Sequence, residues 1–262
     1  MSQVTSPLPG LLQVSQMRVD SNQTAFDRWV TNGGPARFEL LSPLAEVLSQ
    51  GPAPPPNLEL AIEPLRWLLQ EARKGGLSCD ENGFMDPDFS ARANHDLGFW
   101  ATPREGERIV FEIDMLLILA ATCGHVWTSR ERVRLTDCGS IVVKNPHILW
   151  KEAADAFLAV PQIPSHFELW VIVLAWLLSD RAISDDLDAP LQEVIDKHAK
   201  NGEFNDPESE LPSIFGAFYT LCRSLSMLDL SIDPPKPVLT PMGRASAIRA
   251  LRAAIVHNEH LR

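Results

Sequence analysis

Three arginines, Arg130, Arg132 and Arg134, follow closely on the run His125-Val126-Trp127-Thr128. Residues 125–128 and 132–135 both alternate as short strands, Ser129-Arg130-Glu131 forms the turn between them, and side chains two apart on a strand share a face. Guanidinium groups gathered at the tip of such a hairpin have the chemistry to hold phosphates or to reach into a DNA minor groove. The plainer reading is a solvated face, with Glu131 as a local partner. Lys144 and Arg244, each just before or inside the next helix, are further cations expected on the same side. These five residues are the candidate contacts for DNA or for a partner protein.

Other reactive residue types are present without the spacing that chemistry needs. Asp185, Asp186 and Asp188 crowd three carboxylates into four positions. They lack the glycine and remaining ligands of a calcium loop, so helix capping is the better account. His257 and His260 are one helical turn apart with no third ligand near in sequence. His125 and His147 fall beside the hairpin and at a helix start, where polar side chains are expected anyway. Asp80-Glu81 has no partner acid at a defensible spacing. Cys79, Cys123, Cys138 and Cys222 are widely spaced with no Cys-x-x-Cys pair. Cys123 and Cys222 lie on apolar helix faces, so core thiols are expected rather than metal or redox chemistry. Glycine-rich nucleotide loops, a Gly-x-Ser-x-Gly elbow and a His-Glu-x-x-His pair are all missing. The chain therefore reads as non-enzymatic, with neither metal nor cofactor.

The elements that must position the arginines are legible. Residues 113–123 are apolar almost all round, which describes a buried helix, and Gly124 stops it. Asn145-Pro146 supplies a capping side chain and a proline suited to the first helical position. Leu149, Trp150, Ala153, Phe157 and Leu158 then share a face. The order helix, break, hairpin, helix recurs in the C-terminal part. There Phe215, Phe218, Cys222 and Leu225 form a stripe, residues 227–232 alternate as a strand, Val238-Leu239 returns, and Thr240-Pro241 caps a last helix. A weaker copy spans 62–92, with Gly75-Gly76-Leu77 and an Asn82-Gly83 turn signal. Helices with a small hairpin tucked against them describe a winged-helix architecture. The fold class expected is mainly α with small β-hairpins, in tandem winged-helix-like units.

A family resemblance rests on the same residues. Gly75-Gly76-Leu77, Asn82-Gly83-Phe84, Ala91-Arg92, Leu116-Leu117, Arg134-Leu135, Val142-Val143 and Asn145-Pro146-His147-Ile148-Leu149-Trp150 resemble the C-terminal half of actinobacterial plasmid ORF-3-like proteins. Leu239-Thr240-Pro241-Met242-Gly243-Arg244 is similar to the strand-to-helix junction that closes winged-helix modules in that group. The resemblance covers roughly residues 57 to 262 and implies a fold but no established activity.

Length and charge set the remaining bounds. At 262 residues and 45% hydrophobic content the chain can bury a large core. Its expected divisions are 1–56, with short helices ending in the proline-rich stretch Gly51 to Pro56; 57–160, with two winged-helix-like repeats; and 161–262, with a helical connector and the last unit. Residues 1–25 are expected to be a mobile start, and 201–212 an acidic loop. The longest apolar run, 169–178, makes a helix of about 15 Å, half of what a bilayer needs. No signal peptide is evident, so the cytoplasm is the expected compartment. Net charge is −11. Residues 180–209 carry nine acids against three bases, whereas 100–151 carry seven bases against six acids. A chain this acidic should hold random DNA poorly unless a local patch is well focused. The function expected is recognition of DNA or of a protein partner, a second copy of the chain included.

Overall fold

The apolar run at 169–178 lies at the centre of the protein. In a computed structural model, described over residues 25–79, 85–98, 111–129, 132–179, 187–204, 206–229 and 237–260, it forms most of a helix with almost every side chain buried. The chain is mainly helical with a few small antiparallel strand pairs. The first helix, α1, runs over 25–32 and buries Phe26, Trp29 and Val30. α2 (Pro35–Leu41) and α3 (Ala45–Gln50) follow. The prolines of 52–56 then interrupt helix formation, having no N–H to give, before α4 (Leu58–Ala61).

The next elements frame the hairpin. They are α5 (Glu63–Arg73), β1 (Leu77–Ser78), α6 (Pro87–Leu97), α7 (Phe111–Thr122), β2 (Val126–Thr128) and β3 (Arg132–Leu135). β2 and β3 pair antiparallel as expected, with Trp127 opposite Arg134. The weaker copy does not keep its strand to itself. β1 pairs with β3, Leu77 opposite Val133 and Ser78 opposite Arg132, giving one three-stranded sheet in the order β1-β3-β2. A two-stranded ribbon leaves both edges open, and a third strand covers one of them and widens the apolar face. That inner face carries Leu77, Val126 and Val133, all buried.

After the sheet come α8 (Asp137–Val142), a short helix that the sequence reading lacked, and α9 (Pro146–Ala156). Asn145 caps α9, accepting from the Ile148 N–H at 3.2 Å, with Pro146 at the first position as expected. α10 (Pro164–Leu178) and α11 (Asp188–Lys200) lead to α12 (Pro207–Ser224). The acidic loop expected over 201–212 is thus too long: helix begins at Pro207. Glu208 and Glu210 in its first turn favour the positive end of the helix, and Pro212 sits inside it. β4 (Leu228–Asp229), β5 (Val238–Leu239) and α13 (Pro241–His260) close the described chain. α13 packs on α9, α10 and α3, so residues before the proline-rich stretch and near the C-terminus meet. No helix among the described residues is long and apolar enough to cross a membrane.

Candidate functional site

The hairpin is held by a hydrogen-bonded junction that occurs twice. At the end of α7, Gly124 takes a positive φ of 71° and the His125 N–H bonds the Ala120 carbonyl at 2.9 Å, closing the helix in the Schellman manner. After β3, the Thr136 N–H bonds the His125 carbonyl at 2.9 Å. The Thr136 hydroxyl donates to the Gly124 carbonyl at 2.8 Å and accepts from the Gly139 N–H at 2.9 Å, capping α8. At the end of α12 the same bonds recur. Ser226 has a φ of 53°, the Met227 N–H bonds the Cys222 carbonyl at 2.8 Å, and the Thr240 N–H bonds the Met227 carbonyl at 3.0 Å. The Thr240 hydroxyl donates to the Ser226 carbonyl at 2.7 Å and accepts from the Gly243 N–H at 2.9 Å. A side chain at Gly139 or Gly243 would run into the carbonyl of His125 or Met227 respectively, so each junction needs its glycine.

Of the five candidate contact residues, the structure brings two together. Arg132 and Arg134 lie on the outer face of the sheet, exposed. Beside them is Trp127, whose ring lies 5.6 Å from the Arg134 guanidinium carbon and is 47% exposed. Arg130 lies outside the described residues. Lys144 is exposed in the turn between α8 and α9. Arg244 belongs to the other junction; it is exposed, and its Nη1 donates to the Leu178 carbonyl at the end of α10, 3.4 Å away. Among the described residues, Arg132 and Arg134 are the two candidates that share one face of the sheet. Asp185 and Asp186 lie outside the described residues, and Asp188 sits in the first turn of α11, where a negative charge is favoured. His257 and His260 fall in the last turn of α13.

Three clusters were not read from the sequence. The first is charged and buried. The Glu168 carboxylate, 4% exposed, accepts from Arg37 Nη2 at 3.0 Å, from Lys197 Nζ at 2.8 Å and from His198 Nε2 at 2.6 Å. His198 Nδ1 lies 2.9 Å from Glu203, which also accepts the Ser165 N–H at 3.1 Å. Burial works against the Glu168 anion, but its bonds from Lys197 and His198 and the charge of Arg37 outweigh this and hold it below the usual carboxylate range. The hydrogen bond from His198 likewise lowers Glu203. This network ties α2, α10 and α11 together.

The second cluster lies behind the hairpin. His125 is fully buried, contrary to the expectation of an ordinary polar position, and its Nε2 lies 2.6 Å from Glu152. His125, Cys138 and Glu152 place one donor atom each within 4.8 Å of one another. Cys123 is next to them, its thiol 3.6 Å from the Glu152 carbonyl. Burial, then the charges of Glu152 and Asp155, push that thiol up to about 12. Cys222 is buried as expected of a core thiol, and burial raises it as well.

The third is a cavity of about 1000 Å³ between α9, α10 and α13, lined by Cys123, Glu152, Asp155, Phe167, Arg249 and Arg252 among others. Its charges are already bonded to the scaffold. Arg249 pairs with Asp155 at 2.7 Å and donates to the Lys151 carbonyl at 3.1 Å, and Arg252 donates to the Ser49 carbonyl at 2.9 Å. Compared with models of protein families, with curated proteins and with solved structures, the chain finds no match.

Proposed function

We propose that the chain is a non-enzymatic recognition module of winged-helix units, and that it binds another protein rather than DNA. The succession α5, β1, α6, α7, β2, β3 with sheet order β1-β3-β2 supports the winged-helix reading. In that arrangement α7 stands where a DNA-binding protein carries the helix that enters the major groove. The observation that carries the protein reading is the state of this helix. α7 has no lysine or arginine, its charged residues are Glu112 and Asp114, and it packs under α12 with Ile113, Leu116, Leu119 and Ala120 buried. A helix so covered cannot approach base edges, and it offers phosphate no cation.

Recognition is assigned to the outer sheet face, where Trp127, Arg132 and Arg134 are exposed. A half-exposed tryptophan beside arginine is the residue pair favoured at protein interfaces, and the positive charge suits an acidic partner. Fluorescence anisotropy with a labelled duplex tests this, in parallel with pulldown using wild type and the Trp127→Ala and Arg134→Glu variants. The expected result is no saturable duplex binding at low salt, and a bound protein that wild type retains and both variants lose. Duplex binding that falls steeply with salt, and falls again in Arg132→Ala and Arg134→Ala, would overturn the protein reading.

The cavity favours a catalytic reading only on its size. Its ionic groups are bonded to the scaffold, and a thiol raised to about 12 is a poor nucleophile near neutrality, so it lacks an activated group.

A further inference from the structure

We infer that His125, Cys138 and Glu152 form a binding site for one zinc-type divalent cation behind the hairpin. Imidazole, thiolate and carboxylate are the donor set such an ion takes. At bond lengths of about 2.0 to 2.3 Å, the donors of a tetrahedral ion stand about 3.5 Å apart. Donor atoms already within 4.8 Å of one another reach that spacing by side-chain adjustment alone. Among the described residues this is the one group of three histidine, cysteine or acidic side chains that converges so closely. Its remaining coordination position is open to water.

His125 is fully buried, and its Nε2, the nitrogen that faces Glu152, is the ring donor such an ion would take. One further observation points to a ligand: the C-terminal junction is built on the same hydrogen bonds, the Thr240 hydroxyl included, but carries apolar side chains at the corresponding positions. The residues that correspond to Cys123, His125 and Cys138 by those bonds are Leu225, Met227 and Met242, all buried. The fold therefore closes this junction with hydrocarbon and thioether at these three positions. The donors of the central copy are additional to what packing requires. A bound cation would join the end of α7, the start of α8 and the middle of α9, fixing the hairpin against the helices that carry it, and would release the Cys138 thiol proton to solvent.

The test uses the full chain, stripped with a chelator and titrated with Co²⁺ as the optical probe. The expected result is about one equivalent bound, with a thiolate-to-cobalt charge-transfer band and d–d bands of tetrahedral intensity, both bleached by Zn²⁺. Cys138 is exposed, so Cys138→Ser should fold; it is expected to lose the charge-transfer band and to bind more weakly by about tenfold or more. Glu152→Gln should weaken binding, while Cys79→Ser leaves it unchanged. Alkylation of wild type gives a readout free of any variant: Zn²⁺ should protect Cys138 from iodoacetamide. Absence of a cobalt band, full affinity in Cys138→Ser, or alkylation of Cys138 unaffected by Zn²⁺ would each overturn the site.

Discussion

Gly243→Ala places a methyl carbon against the Met227 carbonyl oxygen, well inside contact distance, and the obstacle is backbone rather than a side chain that can swing away. Relief requires the start of α13 to withdraw from the end of α12 by about 1 Å, since cores accommodate added methyls only by backbone shifts. That movement acts on three hydrogen bonds: Thr240 N–H to Met227, the Thr240 hydroxyl to Ser226, and the Gly243 N–H to the Thr240 hydroxyl. At about 1 kcal/mol each, with a further 1 kcal/mol or so of overpacking, the loss is about 4 kcal/mol. For a chain of this size that corresponds to a melting temperature lower by roughly 10 °C. Gly139→Ala meets the His125 carbonyl in the same way and should cost a similar amount. Gly216→Ala is the internal control. It lies inside α12 with nothing within 4 Å of an added Cβ, and exchanging glycine for alanine in a helix should stabilise by about 0.5–1 kcal/mol. Urea unfolding followed by circular dichroism measures all three. Junction variants within about 1 kcal/mol of wild type would refute the claim that these two turns are closed by steric fit.

Three more outcomes follow from the same structure. Ser226 holds a left-handed conformation that a side chain disfavours, so Ser226→Gly should raise stability by about 1 kcal/mol in the same urea assay. Glu168→Ala should lower it by about 3–5 kcal/mol, because Arg37 and His198 are left buried without their anion, and limited proteolysis should then cut first near α1 and α2. Glu168 and Glu203 are both held below the ordinary carboxylate value of 4.5, so they contribute stability above it and lose it as pH falls through their folded values. Melting temperature should stay level from neutrality to about pH 5.5 and drop below about pH 4.5, less steeply in Glu168→Gln.

What the sequence revealed was local. Asn145-Pro146 and Thr240-Pro241 each pair a capping group with a proline that fits the first turn, and both open helices where expected. The helix of 164–178, carried by its apolar run, and the β2–β3 hairpin, carried by alternation, are equally plain, since each depends on a few neighbouring residues. What escaped depends on chain segments meeting from a distance. Glu168 takes Arg37 from 131 positions away and His198 from 30, and no spacing rule encodes either. His125 reads as an ordinary polar residue until β3 reverses the chain and α8 and α9 bring Cys138 and Glu152 beside it. α8 is six residues long, too short for a helical period to show. One signal was available: Leu135-Thr136 and Leu239-Thr240, each followed by a glycine three residues after the threonine, mark the two junctions in the bare sequence. The covering of α7 by α12 could not be read at all, since an apolar helix does not name what lies over it.

α13 also sets the order in which the protein can finish folding. Trp150 waits for Ser246, Lys151 and Asp155 wait for Arg249, and the carbonyl groups of Leu48 and Ser49 wait for Arg252. The ribosome makes those partners after every element they join. Until then α9 lacks the helix that covers Trp150, and the earliest helices lack their clasp, so a stalled nascent chain keeps apolar surface open to chaperones.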